Sequence, residues 1–490
     1  MKQVIFIILS ALLMLLCLIG CASNVQSTQG TLQGTSNLPD PSTLNIAGDF
    51  NILIASNWNW KNDYTADEAS SEVVDMAVYE RNELIKQKYG VNIITEDISE
   101  AHKVTGSGIG FKKIYNDVLA GYTNYDAALI GTYDVATLAY TNLLTDLNTV
   151  PYVDLTKEHW DQKANADLSI NGKMFYTTGE ISLEDNRSVY TLFFSKNMVD
   201  SYKLDNPYEL VNSGKWTLEK FSEMSKKVGN DKNSDGYLDR NDVYGFLTPT
   251  DTNLAILAAA GEKICSINEN GEIELTLYSE RTENLYSRYM ELLNHSSTYN
   301  YQNDHKERTD NGKTREVSSA ERIEMFDSER ALFYSHTMFY VDELRQMENN
   351  FGILPYPKYD ETQDGYYNLV SAWHSQFVCV PVLNKGLSRI GIVLEELAVQ
   401  GDKLLTPAYY EKTLQGKYAR DAESSDMLDI IFDSLVFDVG AYYNVAGYKD
   451  ELGQIYKNQK SLTTIYESKQ MLAENNISQI NKAFSENFAN

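Results

Sequence analysis

What most constrains this chain is an alternation of short apolar strands with amphipathic helices that begins near Leu44. Phe50 to Ala55 reads as a strand and Glu68 to Tyr89 as a helix. Val74, Ala77, Val78, Leu84 and Ile85 fall on one face of that helix, at helical spacing. Gly90 is placed to end it, and Val91 to Thr95 follows as a strand. Phe111, Ile114, Val118 and Leu119 mark a second amphipathic helix, Asp126 to Ile130 another strand, and Val135 to Leu144 another helix. Strand and helix in strict alternation specify an α/β fold with an open, mainly parallel sheet. Such sheets bind ligands at the carboxyl ends of their strands.

That rule selects candidate site residues. The first strand exits into Ser56-Asn57-Trp58-Asn59-Trp60 and the third into Gly131-Thr132-Tyr133-Asp134. Aromatic faces stack on the C–H faces of a sugar ring, while amides and carboxylates bond its hydroxyls. Asn57, Trp58, Asn59, Trp60, Thr132, Tyr133 and Asp134 are therefore the first candidates; the competing role for Trp58 and Trp60 is to plug the core. The theme then repeats. Strands are expected at Gly172 to Tyr176 and Val189 to Phe194 around an irregular Gly179 to Asn186 segment, with helices following from Thr217. Ala331 to Tyr334, Phe351 to Leu354 and Gln376 to Pro381 read as further strands. The last hundred or so residues read as helical, with stripes at Leu428, Ile431, Phe432 and Leu435 and at Ile477, Ile480 and Phe484.

The amino terminus gives an address. Lys2 precedes an apolar run from Val4 to Ile19, broken only by Ser10 and ending in Leu18-Ile19-Gly20-Cys21. So short a run after so few charges is a secretion signal rather than a fold element, with an uncleaved anchor helix as the alternative. The Leu-Ile-Gly-Cys ending resembles the lipobox of bacterial lipoproteins, which implies lipidation at Cys21 and attachment to the outer face of the cell membrane. Residues 1–20 are then signal peptide. Residues 21–43 form the lipidated terminus and a polar, flexible linker.

The formal net charge of −27 repels nucleic acid and anionic headgroups, so neither is an expected partner. It favours neutral or cationic ligands, or plain solubility. The 34 tyrosines suit sugar rings but also half-buried strands, so composition leaves both roles open. Of four cysteines, Cys17 leaves with the signal and Cys21 is the lipid site; Cys265 and Cys379 are expected as buried free thiols. Six histidines without paired metal spacing argue against a transition-metal site.

The sharpest local motif runs from Asp231 to Asp242. Asp231, Asn233, Asp235, Asp239 and Asp242 occupy loop positions 1, 3, 5, 9 and 12, Tyr237 offers a backbone carbonyl, and Gly236 allows the tight turn. The spacing is that of an EF-hand calcium loop, with Asp in place of Glu at the last position. A solvated acidic turn is the alternative. A cation there would be a structural staple, since millimolar extracellular calcium fills even a weak site.

Taken in order, several segments resemble the bacterial extracellular solute-binding proteins of family 1, the maltose-binding-protein-like group. They are Tyr79-Glu80-Arg81-Asn82-Glu83-Leu84-Ile85 running to Tyr89-Gly90-Val91, Asn171-Gly172-Lys173, and Phe194-Ser195-Lys196-Asn197. Gly214-Lys215-Trp216-Thr217, Asp242-Val243-Tyr244-Gly245 and Arg330-Ala331-Leu332-Phe333 continue the series. Leu354-Pro355-Tyr356-Pro357-Lys358 and Pro407-Ala408-Tyr409-Tyr410 complete it.

The resemblance implies a two-lobed, type II-like periplasmic-binding-protein fold, with discontinuous α/β lobes joined by crossover strands and closed by a hinge. The expected N-terminal lobe comprises residues 44–182 and 336–380, and the C-terminal lobe 183–335 and 381–490. Crossovers are expected near Glu180 to Arg187, Ser335 to Thr337 and Phe377 to Leu383. These add Glu184, Asp185, His336, Trp373 and His374 to the candidate ligand residues. The implied function is capture of a mono- or oligosaccharide by a monomer, and its delivery to the permease subunits of an ABC importer. No cofactor is required beyond a possible structural calcium ion. A peptide or other polar solute is the alternative cargo. A glycan-active enzyme is the rival class, needing two carboxylates about 5–9 Å apart across a cleft. Glu180, Glu184 and Asp185 could supply them, but no nucleophile elbow, zinc helix or phosphate loop is present. An adhesion module would show repeats, and none is visible.

Overall fold

A computed structural model describes residues 38–58, 63–304, 306–308, 313–344, 347–410, 414 and 422–486. Cys21 and the signal segment fall outside them. Ten strands build two main sheets: β1 (Gly48–Ala55), β2 (Val91–Asp97), β3 (Ala127–Gly131), β4 (Tyr176–Thr177), β5 (Tyr190–Ser195), β6 (Val243–Thr248), β7 (Thr298–Asn300), β8 (Ala331–Thr337), β9 (Phe351–Leu354) and β10 (Gln376–Cys379).

The first sheet has the order β2-β1-β3-β10-β4. Strand β1 pairs parallel with both neighbours, Ile52 lying opposite Thr95 and Ala127. Strand β10 runs antiparallel to β3 and β4, with Val378 opposite Leu129 and Thr177. The second sheet has the order β7-β6-β8-β5-β9. Here β6 is parallel to β7 and β8, while β5 is antiparallel to β8 and β9. Gly229–Asn230 adds a sixth strand at β6. Every residue of β3, β5, β6 and β8 is buried, as strands covered on both faces require.

The first long helix starts at Val73 rather than at Glu68, and Leu435, expected in a helical stripe, lies in the short strand Leu435–Val436 beyond the helix Ala422–Phe432. Ala77, Val78 and Ile85 are buried on Val73–Tyr89, and Gly90 ends that helix at φ 70°, a left-handed conformation that glycine adopts without a Cβ penalty.

Among the described residues, three chain crossings join the sheets. The first is the segment 178–189 between β4 and β5. The second returns through Asn368–Leu369 and 370–375 to β10. The third enters from the helix Ala422–Phe432 and passes through Leu435–Val436. All three are bonded side by side: Ser371 N–H donates to Ser188 O at 2.8 Å, and Val370 N–H to Val436 O at 3.0 Å.

Two expected crossings are corrected. Thr337 does not leave the second sheet, because β8 stays paired with β5 through His336 opposite Thr191 and Thr337 opposite Tyr190. Phe377 to Cys379 is not a crossing but β10, an inner strand of the first sheet. The lobe boundaries move with them. Phe351–Leu354, expected in the N-terminal lobe, pairs with β5 of the second sheet. The helix Leu387–Pro407, expected in the C-terminal lobe, packs on Val73–Tyr89 of the first. Lys88 Nζ and Tyr89 OH meet Glu396 there at 2.8 and 3.1 Å, and Arg389 pairs with Asp126 at 3.0 Å. A strand buried on both faces carries no pattern that says which sheet it joins, and a helix stripe does not say which sheet it covers.

Close packing of that helix generates a prediction. A Cβ on Gly391 would stand 1.8 Å from the carbonyl oxygen of Pro151, a clash with backbone that no rotamer relieves. Gly391→Ala should therefore destabilise the protein by about 1–3 kcal/mol despite its better helix propensity. Gly386→Ala, which meets open space, should stay within about 0.5 kcal/mol of the parent. Denaturant melts of the two variants check this.

Candidate functional site

The carboxyl ends of β1 and β3 face those of β6 and β8 across the junction between the sheets. After β1 the chain reaches Trp58, half-buried, whose ring lies 5.1 Å from that of Phe339 at an interplanar angle of 71°. Phe339 belongs to the turn Met338–Tyr340 that follows β8, so this contact joins the lobes. Trp58 also lies 5.8 Å from His374, on the second crossing. After β3, the ring of Tyr133 meets Trp373 edge-on at 6.1 Å and His102 at 6.0 Å. His336 and His374 lie 6.1 Å apart. Trp58, Tyr133, His336, Trp373 and His374 are thus brought together as expected.

Burial favours the neutral form of His336 and His374. Burial pushes His374 down to about 4 and His336 well below its usual value, with His374 and Arg322 adding to the latter. Thr337 N–H donates to His336 Nδ1 at 2.8 Å, so the proton sits on Nε2, which is left as a donor. Neutral imidazoles and ring edges around a junction suit a polar, uncharged ligand.

Other expected residues are held in structural bonds. Asn57 Oδ1 accepts from His102 N at 2.9 Å. Thr132 Oγ1 bonds Ser375 Oγ at 2.6 Å, tying β3 to the second crossing. Asp134 accepts from Gly108 N and Phe111 N at 2.9 and 3.0 Å and anchors the start of the helix Ile109–Ala120. Glu184 is fully buried beneath the first crossing, accepting from Gln376 N at 3.1 Å and from Tyr64 OH at 3.4 Å. Asn59 and Trp60 lie outside the described residues.

Asp185 lines a recess of about 380 Å³ behind the first crossing, with Trp160, Asp161, Glu180 and Tyr409. Burial raises the carboxyl groups of Asp161 and Asp185 and pushes Glu180 up to about 7. Thr406 Oγ1 donates to Glu180 Oε2.

Sequence reasoning missed residues on the second sheet. Tyr190 OH donates to Asp251 Oδ2 at 3.2 Å, just beyond the end of β6. The strand-end rule that found Trp58 finds Asp251, Phe339 and Tyr340 when it is applied to β6 and β8. Lys449 carries no such signal. Its ammonium lies 3.5 Å from the centroid of the Tyr133 ring.

The acidic loop is wrapped on its own backbone. Asp231 accepts from Asp235 N and Gly236 N at 3.3 and 2.8 Å, and Asp242 from Lys232 N and Asp239 N at 2.9 and 2.8 Å. Asn233 Oδ1 and Asp235 Oδ1 take Asp235 N and Tyr237 N. Among the described residues, no three acidic, histidine or cysteine side chains are grouped to hold a metal ion. Cys265 and Cys379 are buried free thiols, as expected.

No protein-family profile and no curated protein matches the chain. Solved structures do. The galacto-N-biose/lacto-N-biose I-binding protein of the ABC transporter from Bifidobacterium longum, in complex with lacto-N-biose, superposes with a TM-score of 0.55 at 10% identity, over 89% of this chain and 98% of that one. An ABC substrate-binding protein from Listeria monocytogenes in complex with cycloalternan gives 0.54 at 13% identity, over 89% and 99%. The maltose/maltodextrin-binding domain from Bdellovibrio bacteriovorus bound to maltotriose gives 0.53 at 11% identity, over 88% and 100%. The chain has the fold of the ABC solute-binding proteins. Its α/β architecture is two-lobed like theirs, with the candidate cleft lying between the lobes.

The recess behind the crossing makes a pH prediction. Glu180 has its carboxyl raised from 4.5 to about 7 in the folded protein, so the folded state holds the extra proton between those values. Its contribution is present below pH 4.5 and is lost as pH rises through 7. Glu180→Gln, which fixes the neutral form, should therefore stabilise the protein more at pH 8 than at pH 5, as read by thermal melts across that range.

Proposed function

We propose that this protein is an extracytoplasmic solute-binding protein, lipid-anchored through Cys21, that captures a mono- or oligosaccharide between its lobes and delivers it to an ABC importer. The observation that carries the reading is the meeting of Trp58 and Tyr133 from one lobe, Phe339 from the other and Trp373 from a crossing around two neutral histidines. Rings that can stack, set beside donors and acceptors that carry no net charge, match a polyhydroxylated ligand. The sugar ligands of the fold's relatives agree with it. A binder is favoured over a glycan-active enzyme because Glu184 is bonded beneath the first crossing, while Glu180 and Asp185 line the recess behind it.

A sugar panel read by thermal shift and calorimetry tests this. A ligand at 100 times its Kd should stabilise the protein by about 2.7 kcal/mol without turnover. Trp58→Ala and Trp373→Ala should each weaken binding by about 1–3 kcal/mol. Parent-like affinity in both variants, with stability lost, would relocate the site.

A structural calcium ion at the loop 231–242 is a lesser part of the proposal. Asp231, Asn233, Asp235, Asp239, Asp242 and the Tyr237 carbonyl would hold it, with Asp242 released from the Lys232 and Asp239 amides. Calcium should then raise the melting temperature of the parent and leave Asp231→Ala unmoved. Identical responses would mean a self-contained acidic turn.

A further inference from the structure

Lys449 is a cleft residue whose charge the fold matches only in part. Its side chain is 5% exposed, yet its ammonium finds no hydrogen-bond acceptor among the described residues. The nearest carboxylate, Asp450 Oδ1, stands 3.7 Å away on a side chain that is 63% exposed. A buried ammonium carries three donors and a large desolvation cost, and a ring face meets only part of that need.

The backbone that delivers Lys449 is strained as well. Asn444, Ala446 and Gly447 all take left-handed conformations, at φ 44°, 50° and 72°. An alanine there is unfavourable, and it persists because its surroundings over-determine it. Asn476 Oδ1 accepts from Ala446 N at 3.0 Å, and Lys469 Nζ donates to Ala446 O at 3.1 Å, both from the helix Leu462–Glu486. A clamped turn, and beyond it a buried ammonium over the Tyr133 ring with no hydrogen-bond acceptor among the described residues, mark a group held ready for something that arrives.

We infer that Lys449 is a ligand-contacting residue whose ammonium donates to the hydroxyl oxygens of a neutral polyhydroxylated ligand beside the Tyr133 ring. This rests on the carbohydrate reading and adds a residue and a charge class to it. The charged groups around the ammonium decide the class. Asp251 and Asp450 act on Lys449, and Lys103 acts with Lys449 on Asp251, so two carboxylates stand against two ammoniums. Burial disfavours the charged form of His336 and His374, and the net charge of −27 opposes an anion at long range. An acceptor that brings no charge completes this set, whereas a carboxylate ligand would face Asp251.

The experiment compares the parent with K449M, using maltotriose, lacto-N-biose and α-D-tagatose as neutral probes and D-glucuronate as an acidic one. Calorimetry should show the parent binding a neutral probe more tightly than glucuronate. K449M should bind that probe about tenfold more weakly or worse, the loss of one charge-assisted hydrogen bond. Ligand-free K449M should keep a cooperative melt, because the ion pair it loses is a 3.7 Å contact with a largely exposed carboxylate. Unchanged affinity in K449M, with or without a lower melting temperature, would make Lys449 a structural strut over Tyr133 and overturn the assignment. Glucuronate binding more tightly than every neutral probe would overturn the charge class. No probe bound by the parent would remove the carbohydrate reading, and this assignment with it.

Discussion

The carboxyl group of Glu184 lies wholly buried where the first crossing meets the first sheet, and the arrangement of the lobes depends on how it is held. It accepts from the backbone of Gln376 at the start of β10, from the Gln376 side chain and from Tyr64. Around it, Arg187 pairs with Asp63, and the fully buried Arg81 donates to the carbonyls of Ile181, Asp63 and Tyr64 at 3.0–3.3 Å. Residues from β10, from the loop after β1 and from the first long helix thus converge on a single turn of crossing chain. Removing one partner from such a knot leaves a buried charge or donor unmatched, which costs about 3–5 kcal/mol. The knot fixes one geometry for the crossing, because few other arrangements bring these groups together.

That fixed geometry explains where the cleft chemistry sits. The three crossings are paired backbone to backbone, so they carry their side chains in a set register. Trp373 and His374 project from the second crossing toward strand ends of both sheets. Trp58 and Tyr133 leave the first sheet at its carboxyl edge, and Phe339 leaves the second. None of these rings is part of a lobe's own core. They meet only because the crossings hold the two strand-end surfaces face to face.

Much of this was legible in the sequence, for a physical reason. Periodicity reports what a segment buries against its own lobe, so Phe351 to Leu354 was found to the residue and Gly90 was recognised as a helix stop. It failed where burial comes from elsewhere. Leu84 and Leu119 were read as core positions, but they are 40% and 69% exposed, since an apolar side chain on a surface helix need not be covered. The lobe membership of β9, β10 and the helix Leu387–Pro407 was hidden because both faces of such elements are apolar whichever sheet they join. At the site, the strand-end rule found the aromatic residues and overreached on the acids. Asp134 and Glu184 looked like ligand groups, and they are occupied by backbone amides. Local sequence shows that a carboxylate exists and not which N–H groups reach it first. Lys449 was invisible because its place depends on a left-handed turn some three hundred residues away from Tyr133.

The polar groups of the pivot and those of the cleft differ in how they are matched, and the difference is informative. Beneath the crossing, Glu184, Arg81 and Thr132 are bonded within the protein. In the cleft, His336 keeps an Nε2 proton to donate and the Lys449 ammonium lacks an acceptor. A hinge whose own hydrogen bonds had to break on closure would resist motion by several kcal/mol. A cleft whose groups were already matched would gain nothing from a ligand. The bonds that hold Glu184, Arg81 and Thr132 at the pivot and the donors left open between the lobes are thus complementary. Energy released on binding then goes to holding the lobes together rather than to rebuilding the joint. In this chain the boundary between the two regimes falls between Ser375, bonded to Thr132, and His374, which faces Trp58. One peptide bond separates the part of the second crossing that carries the fold from the part that faces the cleft.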